Sequence, residues 1–448
     1  MTVRGTILVA VLGIPALGLL AFGPRGLHTV PRDRTVIRYW EKWTGVEGDT
    51  MQRIVDEFNA TVGRRQGIWV EYCPISNVDQ RMLIATAGGD PPDVAGLYDH
   101  IVAQYADQGA LMPLDELVPQ FGIDKSAFKP VWWNIGRYKD RLYALPSTPY
   151  TIALYYNKRL FRKAGLDPQR PPETIAELDA YARRLTHRDA SGRIIQAGFI
   201  PAPGLLGWWH WVWPYFFDAR LWDGKKFHLD TPEGRAAMRW IARERQWLGV
   251  ESALAFEATA GAIEGTQNPF LAERIAMVFQ GPWLANWINK YTPDLDYGVA
   301  RFPSASPHRQ NTFVSADVFV VPSGSPHPRE AMTFLAYVLR QDVLERLCKA
   351  HCKVSPFRDP SPAFFNEHPN PHIRVFDALA LSPHTFGHPK MPTFRQVSIE
   401  MLFMLENVLQ GVRGPDKAIR RTQAKIDRIV AQYNRMAAKR RSLASVDN

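Results

Sequence analysis

Aromatic rings recur beside hydrogen-bonding groups in this chain. Trp40-Glu41-Lys42-Trp43 and Tyr98-Asp99-His100 each set π-faces next to a carboxylate. Gly207-Trp208-Trp209-His210-Trp211-Val212-Trp213-Pro214-Tyr215-Phe216-Phe217 crowds nine apolar or aromatic side chains into eleven positions. That density exceeds one helical face, so part of it must enter a core and part is expected to face a cleft. The chemistry that suits such a set is the capture of a carbohydrate. A pyranose offers a face of C–H groups that lies on an aromatic ring, and rim hydroxyls that pair with Asp, Glu, Asn or Arg. Two of the carboxylates among Glu41, Asp93 and Asp99 would instead serve a glycoside hydrolase as acid and base, which is carried as a minor alternative. Other chemistries lack their signatures: there is no Gly-x-x-x-x-Gly-Lys loop, no His-Glu-x-x-His and no nucleophile elbow.

A chain of 448 residues, 46% hydrophobic, is expected to hold two domains. The net charge of +10 gathers at the C-terminus. There Arg413, Lys417, Arg420, Arg421, Lys425, Arg428, Arg435, Lys439, Arg440 and Arg441 alternate with Ile419, Ile426, Ile429, Val430, Tyr433 and Met436 at helical spacing. This reads as a surface helix with a solvated basic face; no nucleic-acid module accompanies it, and no nucleic-acid partner is expected. Three cysteines, Cys73, Cys348 and Cys352, make no disulfide framework. Cys348 and Cys352 flank His351 at four-residue spacing and read as two buried small side chains. At the N-terminus, Arg4 precedes an uncharged apolar run over residues 6–22, and Ala21-Phe22-Gly23 has the small residues of a cleavage site. Residues 1–24 are expected to be a signal peptide or membrane anchor. The remainder of the chain is expected to be exported, either to the periplasm or to the outer face of the cytoplasmic membrane.

The elements that position these residues alternate. Val36-Ile37-Arg38-Tyr39-Trp40 reads as a strand, and Met51, Ile54, Val55, Phe58 and Val62 mark a helix face. Ile68-Trp69-Val70-Glu71-Tyr72 is a second strand. Residues 78–87 are helical, and Asp93-Val94-Ala95-Gly96-Leu97 enters as a third strand after Pro91-Pro92. This order predicts a parallel sheet, with ligands at the carboxyl ends of its strands: Trp40 to Trp43, and Asp99 with His100. Pro146 to Tyr150 reads as a crossing between lobes. It is followed by a β-run over 151–156, a short helix ending at Gly165, and a capping box at Thr174-x-x-Glu177. Gly198-Phe199-Ile200 reads as a short strand. Pro and His are dense from 356 to 392, where long loops with exposed His368, His372, His384 and His388 are expected.

Leu154-Tyr155-Tyr156-Asn157-Lys158, then Leu160-Phe161, then Lys163-Ala164-Gly165-Leu166 and Pro171-Pro172, resemble the extracellular solute-binding proteins of ABC sugar importers, of which maltose-binding proteins are the best-known members. Gly89-Asp90-Pro91-Pro92-Asp93-Val94, Gly281-Pro282-Trp283 and Phe313-Val314-Ser315-Ala316-Asp317-Val318-Phe319-Val320-Val321-Pro322 extend the resemblance over roughly residues 34–435. It implies an α/β periplasmic-binding-protein type II fold with two discontinuous lobes and a cleft between them. Lobe one takes 34–147 and 314–352; lobe two takes 151–311 and 357–440. It implies capture of a sugar or related polyol, including a glycerophosphodiester, by a monomer that needs no cofactor or metal, performs no catalysis and delivers its cargo to ABC permease subunits. A sensing receptor without a permease is the alternative. The resemblance also implies a ligand set of Trp40, Glu41, Trp43, Asp99, His100, Tyr150, Trp208, Trp209, Trp283, Ser315, Phe394 and Arg395. The adjacent Tyr155-Tyr156 matches iron ligands of some ferric-ion-binding relatives, a minor alternative. Trp283 has local logic of its own: a buried strand over 275–279 ends at Gly281, where backbone approaches a ligand closely, and Pro282 is suited to open the next helix.

Overall fold

The computed structural model describes residues 31, 33–202, 209–259, 265–309 and 311–444. The apolar run at 6–22 and Trp208 lie outside them. Strand β1 (Thr35–Glu41) turns Ile37, Tyr39 and Glu41 to one buried face by its two-residue period. Helix α1 (Gly45–Ala60) covers that face with Met51, Ile54, Val55 and Phe58. Strand β2 (Ile68–Pro74) pairs parallel with β1, helix α2 (Val78–Ala87) crosses over, and β3 (Val94–Tyr98) pairs parallel on the other side of β1. The Asp93 carboxylate fixes this entry: it accepts from the Arg38 backbone N–H at 2.9 Å and from Ser325 Oγ at 2.8 Å. Helix α3 (Asp99–Asp107) starts at once, so Asp99 and His100 stand at the carboxyl end of β3.

Residues 146–150, expected as a crossing, are strand. β4 (Leu145–Thr151) carries Pro146 and Pro149 and pairs with a neighbouring strand along one side only. An edge strand spares proline the missing N–H, so two prolines are tolerated there. After Ile152 the chain leaves this sheet, and β5 (Ala153–Asn157) enters a second one. Within β5 the alternation divides two cores: Ala153 and Tyr155 join the cluster of the main sheet, whereas Leu154 and Tyr156 join the other. Helix α4 (Lys158–Lys163) is capped by the Asn157 side chain and followed by Gly165 at φ 66°. Helix α5 (Ile175–Leu185) begins at the complete Thr174/Glu177 capping box.

Residues 198–200 form no strand; Ala197 makes a single parallel bridge to Ile275. Gly198 abuts the backbone of Ala182, where a Cβ would approach to 2.2 Å. Of the aromatic stretch, α6 (Trp213–Phe216) is one turn, with Trp211, Trp213 and Phe216 buried. Helix α7 (Pro232–Leu248) opens with proline at its first turn. Strands β6 (Met277–Gln280) and β7 (Tyr297–Ala300) flank β5 antiparallel, with α8 (Leu284–Tyr291) between them. Strand β8 (Thr312–Val320) returns to the main sheet, antiparallel to both β3 and β4. Helices α9 (Pro328–Val338) and α10 (Gln341–Ala350) follow. The stretch 356–392 is less loop-like than its composition suggests. It holds α11 (Pro362–Asn366), α12 (Ile373–Leu379) and β9 (Thr385–Phe386), which pairs with the start of β8. Helix α13 (Phe394–Leu409) and the basic α14 (Pro415–Ala444) complete the chain. Cys348 and Cys352 are buried and unpaired, and Cys73 is unpaired.

The histidines also depart from expectation. His368 is buried, its Nε2 3.2 Å from the Lys353 carbonyl, and its Nδ1 accepts the Asn370 N–H at 3.0 Å. That pairing fixes a neutral ring, and burial pushes its pKa down to about 4. His351 is fully buried edge-on to Trp43 at 4.6 Å, and burial pushes it down to about 3. In the unfolded chain both protonate near the usual ~6.5. The unfolded state therefore binds more protons as pH falls below that value, and stability must fall with it, down to the folded pKa values. Between pH 7 and 5 each histidine is expected to cost on the order of 2 kcal/mol. Urea denaturation at the two pH values checks this; equal midpoints would contradict it.

Candidate functional site

Strand β8 organises the site. Its period of two sets Phe313, Ser315 and Asp317 on one face, while Ala316 and Val318 pack into the core beneath. Three groups of side chains gather along that row.

At one end is an aromatic group. β6 ends at Gln280, and the indole of Trp283 folds back over Gly281, where a Cβ would lie 2.2 Å from the ring. Tyr155 Oη donates to the Gly281 carbonyl at 3.0 Å and Asn370 Nδ2 to that of Pro282 at 2.8 Å, which pins the turn. Trp283 stands one residue before α8, at the position where N–H groups have no helical partner. Tyr150 meets it edge-on at 4.9 Å and Trp209 lies tilted at 5.8 Å. Trp209 is buried, but Trp283 and Tyr150 are only half-buried.

Beside the rings lies a buried ionic network. Lys353 Nζ donates to Asp317 Oδ2 and to Thr148 Oγ1, and stands 5.5 Å from the centre of the Tyr150 ring and 5.8 Å from that of Trp283. Lys42 Nζ lies 3.2 Å from Asp317 Oδ1 and 3.2 Å from Glu41 Oε1. Thr148 Oγ1 also donates to Asp317, and Tyr39 Oη to Glu41, at 2.9 and 2.7 Å. Two ammonium groups thus meet two carboxylates. Burial opposes the Asp317 charge, yet Lys353 and Lys42 hold its carboxyl well below the usual range. Burial likewise opposes the Lys42 charge, and Asp317 and Glu41 raise it. Glu41 goes the other way: burial raises it, in part offset by Lys42. Gly96 makes room for the Glu41 carboxylate, which a Cβ would meet at 1.7 Å.

The third group surrounds Asp99. Ser315 Oγ donates to Asp99 Oδ1 at 2.8 Å, and His388 Nδ1 lies 3.1 Å from the same oxygen. His100 stacks on Tyr98 at 5.5 Å and tilts toward His388 at 5.1 Å. Burial pushes His100 down to about 3, so its ring is neutral. A cavity of about 230 Å³ opens here, lined by Asp99, His100, Asn134, Arg137, His388 and Lys390 among others.

Of the twelve residues expected in the site, Tyr150, Trp209 and Trp283 meet in the first group, and Asp99, His100 and Ser315 in the third. Glu41 belongs to the ionic network with no exposed surface. Phe394 backs the third group, 5.4 Å from the His388 ring. Of three more, Trp43 borders the ionic network, its ring centre 5.0 Å from Lys42 Nζ, and Trp40 and Arg395 stand elsewhere. Trp43 packs in the main core against Phe319 and His351. Trp40 leans on the opposite side of the sheet, against the cluster of Val78 and Met82. Arg395 is half exposed, 3.8 Å from Asp79. Asp317, Lys353, Phe313 and His388 are not among the expected site residues, and Lys42 was expected only as part of the strand end Trp40 to Trp43. Asp317 alone carried a signal: a lone carboxylate within an apolar strand demands a buried partner.

The residue pattern of the bacterial extracellular solute-binding proteins matches residues 42–344. The sn-glycerol-3-phosphate-binding periplasmic protein UgpB of Escherichia coli (strain K12) is 30% identical over 222 residues, covering 47% of this chain and 45% of UgpB. CpMnBP1, solved with mannotriose bound, is 25% identical and superposes with a TM-score of 0.77 over 88% of this chain and 100% of its own. The sugar-binding protein MalE of Xanthomonas citri shares the fold, with a TM-score of 0.74 at 20% identity over 90% of this chain and 99% of MalE.

Proposed function

The chain belongs to the bacterial extracellular solute-binding proteins, and on that premise we propose that it captures a sugar or related polyol outside the cytoplasmic membrane and passes it to an ABC permease. Its mixed α/β architecture is that of periplasmic sugar-binding proteins. The observation that carries the reading is the half-buried Trp283 indole. Its backbone is fixed from below, Tyr150 and Trp209 flank it, and the Lys353 ammonium stands over it, 5.8 Å from the ring centre. A rigid aromatic surface bordered by a buried polar network suits a polyol, which is apolar on its faces and polar at its rim. The names of two similar proteins, one binding a glycerol phosphate and one holding mannotriose, keep both ligand classes in view.

The same geometry argues against the alternatives. Glu41 is wholly inside and engaged by Tyr39 and Lys42, so it is a poor catalytic acid. Tyr155 is fully buried and spends its hydroxyl on the Gly281 carbonyl, so it is a poor iron ligand. We read the protein as a monomeric carrier with lobes at 34–147 with 314–352 and at 151–311 with 357–440. Three segments link them: Ile152, the stretch before β8 and the stretch after α10. Few links make hinge closure the low-cost motion.

A thermal-shift panel of manno- and malto-oligosaccharides and glycerol phosphates tests the reading, followed by small-angle scattering on the best ligand. At a hundredfold excess over Kd the ligand should stabilise the fold by about 2.7 kcal/mol and reduce the radius of gyration. No shift with any sugar or phosphate ester, or release of a cleaved product, would count against it. A gene neighbourhood with two permease subunits separates transport from sensing.

A further inference from the structure

Asp99 and His100 open α3, whereas His388 arrives from the loop after β9, 289 residues beyond Asp99. One ligand atom from each lies within 4.8 Å of the other two, the only such trio of His, Cys, Asp or Glu that could hold a metal ion among the described residues. We propose that Asp99, His100 and His388 form a binding site for one transition-metal ion of the Zn²⁺ class, with its remaining position open to the adjoining cavity.

The geometry supports this at several points. Zn²⁺ bonds of about 2.0–2.2 Å in a tetrahedron hold ligand atoms about 3.3 Å apart. The Asp99 to His388 edge, at 3.1 Å, already has that length. No edge exceeds 4.8 Å, so a small rotation of a ring closes the set. Both side chains are well enclosed, with 6% of Asp99 and 11% of His388 exposed. The supporting contacts of a metal site are also in place. Ser315 Oγ donates to the Asp99 carboxylate and orients it, as a partner behind a metal ligand does. Phe313, Trp211 and Phe394 hold the His388 ring at 5.2, 5.1 and 5.4 Å.

Two histidines and one carboxylate leave a coordination position for a water or a solute oxygen, and the cavity of about 230 Å³ has room for either. Arg137 and Lys390 line the same cavity. Lys390 is turned toward the Asn134 carbonyl, to which it donates. Beside a dication these two groups favour an anionic oxygen in the open position. The proposal does not depend on which solute the aromatic group captures.

The test uses the full, tag-free protein, stripped with a chelator and free of sugar. Zn²⁺ is titrated by calorimetry and Co²⁺ by absorption. The expected result is one equivalent bound at micromolar Kd or tighter, with an intense, low-symmetry Co²⁺ spectrum. His388→Gln and His100→Gln should each weaken binding at least about tenfold to a hundredfold, while His187→Gln, at an exposed residue that lines neither the trio nor its cavity, leaves it unchanged. Melting curves confirm that each variant is folded. The Co²⁺ spectrum of the wild type decides the matter should a variant unfold. A weak octahedral spectrum without an end point, or equal affinity in both folded variants, would overturn the site. Because no sugar is present, that failure is separate from a failure of solute binding.

Discussion

Asp317→Ala is expected to destabilise the fold by about 3–5 kcal/mol, the cost of removing one partner from a buried ion pair. Asp317 is 3% exposed and contacts two ammonium groups, those of Lys42 and Lys353, as well as the Thr148 hydroxyl. Without it Lys42 keeps Glu41 as its one direct ion-pair partner among the described residues, and Lys353 keeps the Thr148 hydroxyl, two ring faces and the more distant Glu47 charge. Neither arrangement compensates two buried charges. Asp317→Asn keeps the shape and a carbonyl acceptor, so it should cost less while still leaving excess positive charge. Removing an ammonium as well, in Asp317→Asn with Lys353→Met, should recover part of the loss, because the cost comes from the unpaired charge and not from the missing contact. Urea denaturation of the three variants measures this. A loss below about 1 kcal/mol for Asp317→Ala would mean that the ammonium groups reach water.

This network shows what could and could not be read in advance. Local features were legible. The capping box at Thr174 and Glu177, the stop at Gly165 and the strand from Thr35 depend on neighbours within four residues or on a two-residue period. Strand β8 was legible too, as a long run of apolar and β-branched residues. The partners of Asp317 were not. Lys353 stands 36 residues later and Lys42 comes from the end of β1, and only the folded sheet brings them together. Proline misled at 146 and 149, because a proline that ends a central strand is tolerated in β4, which pairs on one side alone. Histidine misled between 368 and 388. Density of Pro and His suggests loops in water, yet His368 closes hydrogen bonds with Lys353 and Asn370, and His388 lies against Trp211 and Phe313. Trp40 and Trp43 invite a single reading because both sit near the end of β1. The pleat sends Trp40 to the side of α2, and the turn into α1 buries Trp43 beside His351.

Trp283→Ala is expected to weaken solute binding by roughly tenfold to a hundredfold, equivalent to about 1–3 kcal/mol of lost stacking. The melting temperature of the unliganded protein should change little, because the ring is only half-buried and its neighbours Tyr150 and Trp209 keep their own contacts with Phe313. A tryptophan whose work is packing would behave in reverse, with folding reduced by about 3–5 kcal/mol and affinity intact in the folded fraction. A second substitution separates the ring from its position. Gly281→Ala leaves Trp283 in the chain but places a Cβ 2.2 Å from where the indole lies, so the ring must move. If the surface under the solute is the indole in its folded-back pose, Gly281→Ala should reproduce most of the affinity loss. If Trp283 serves binding only as apolar bulk, Gly281→Ala should bind nearly as the wild type does, and Trp283→Phe should bind as well. Calorimetry with the best ligand from the panel, together with melting curves for all three variants, distinguishes these outcomes. An unchanged Kd for Trp283→Ala would remove the aromatic group from the site and leave the Asp99 cavity as the place where solute binds.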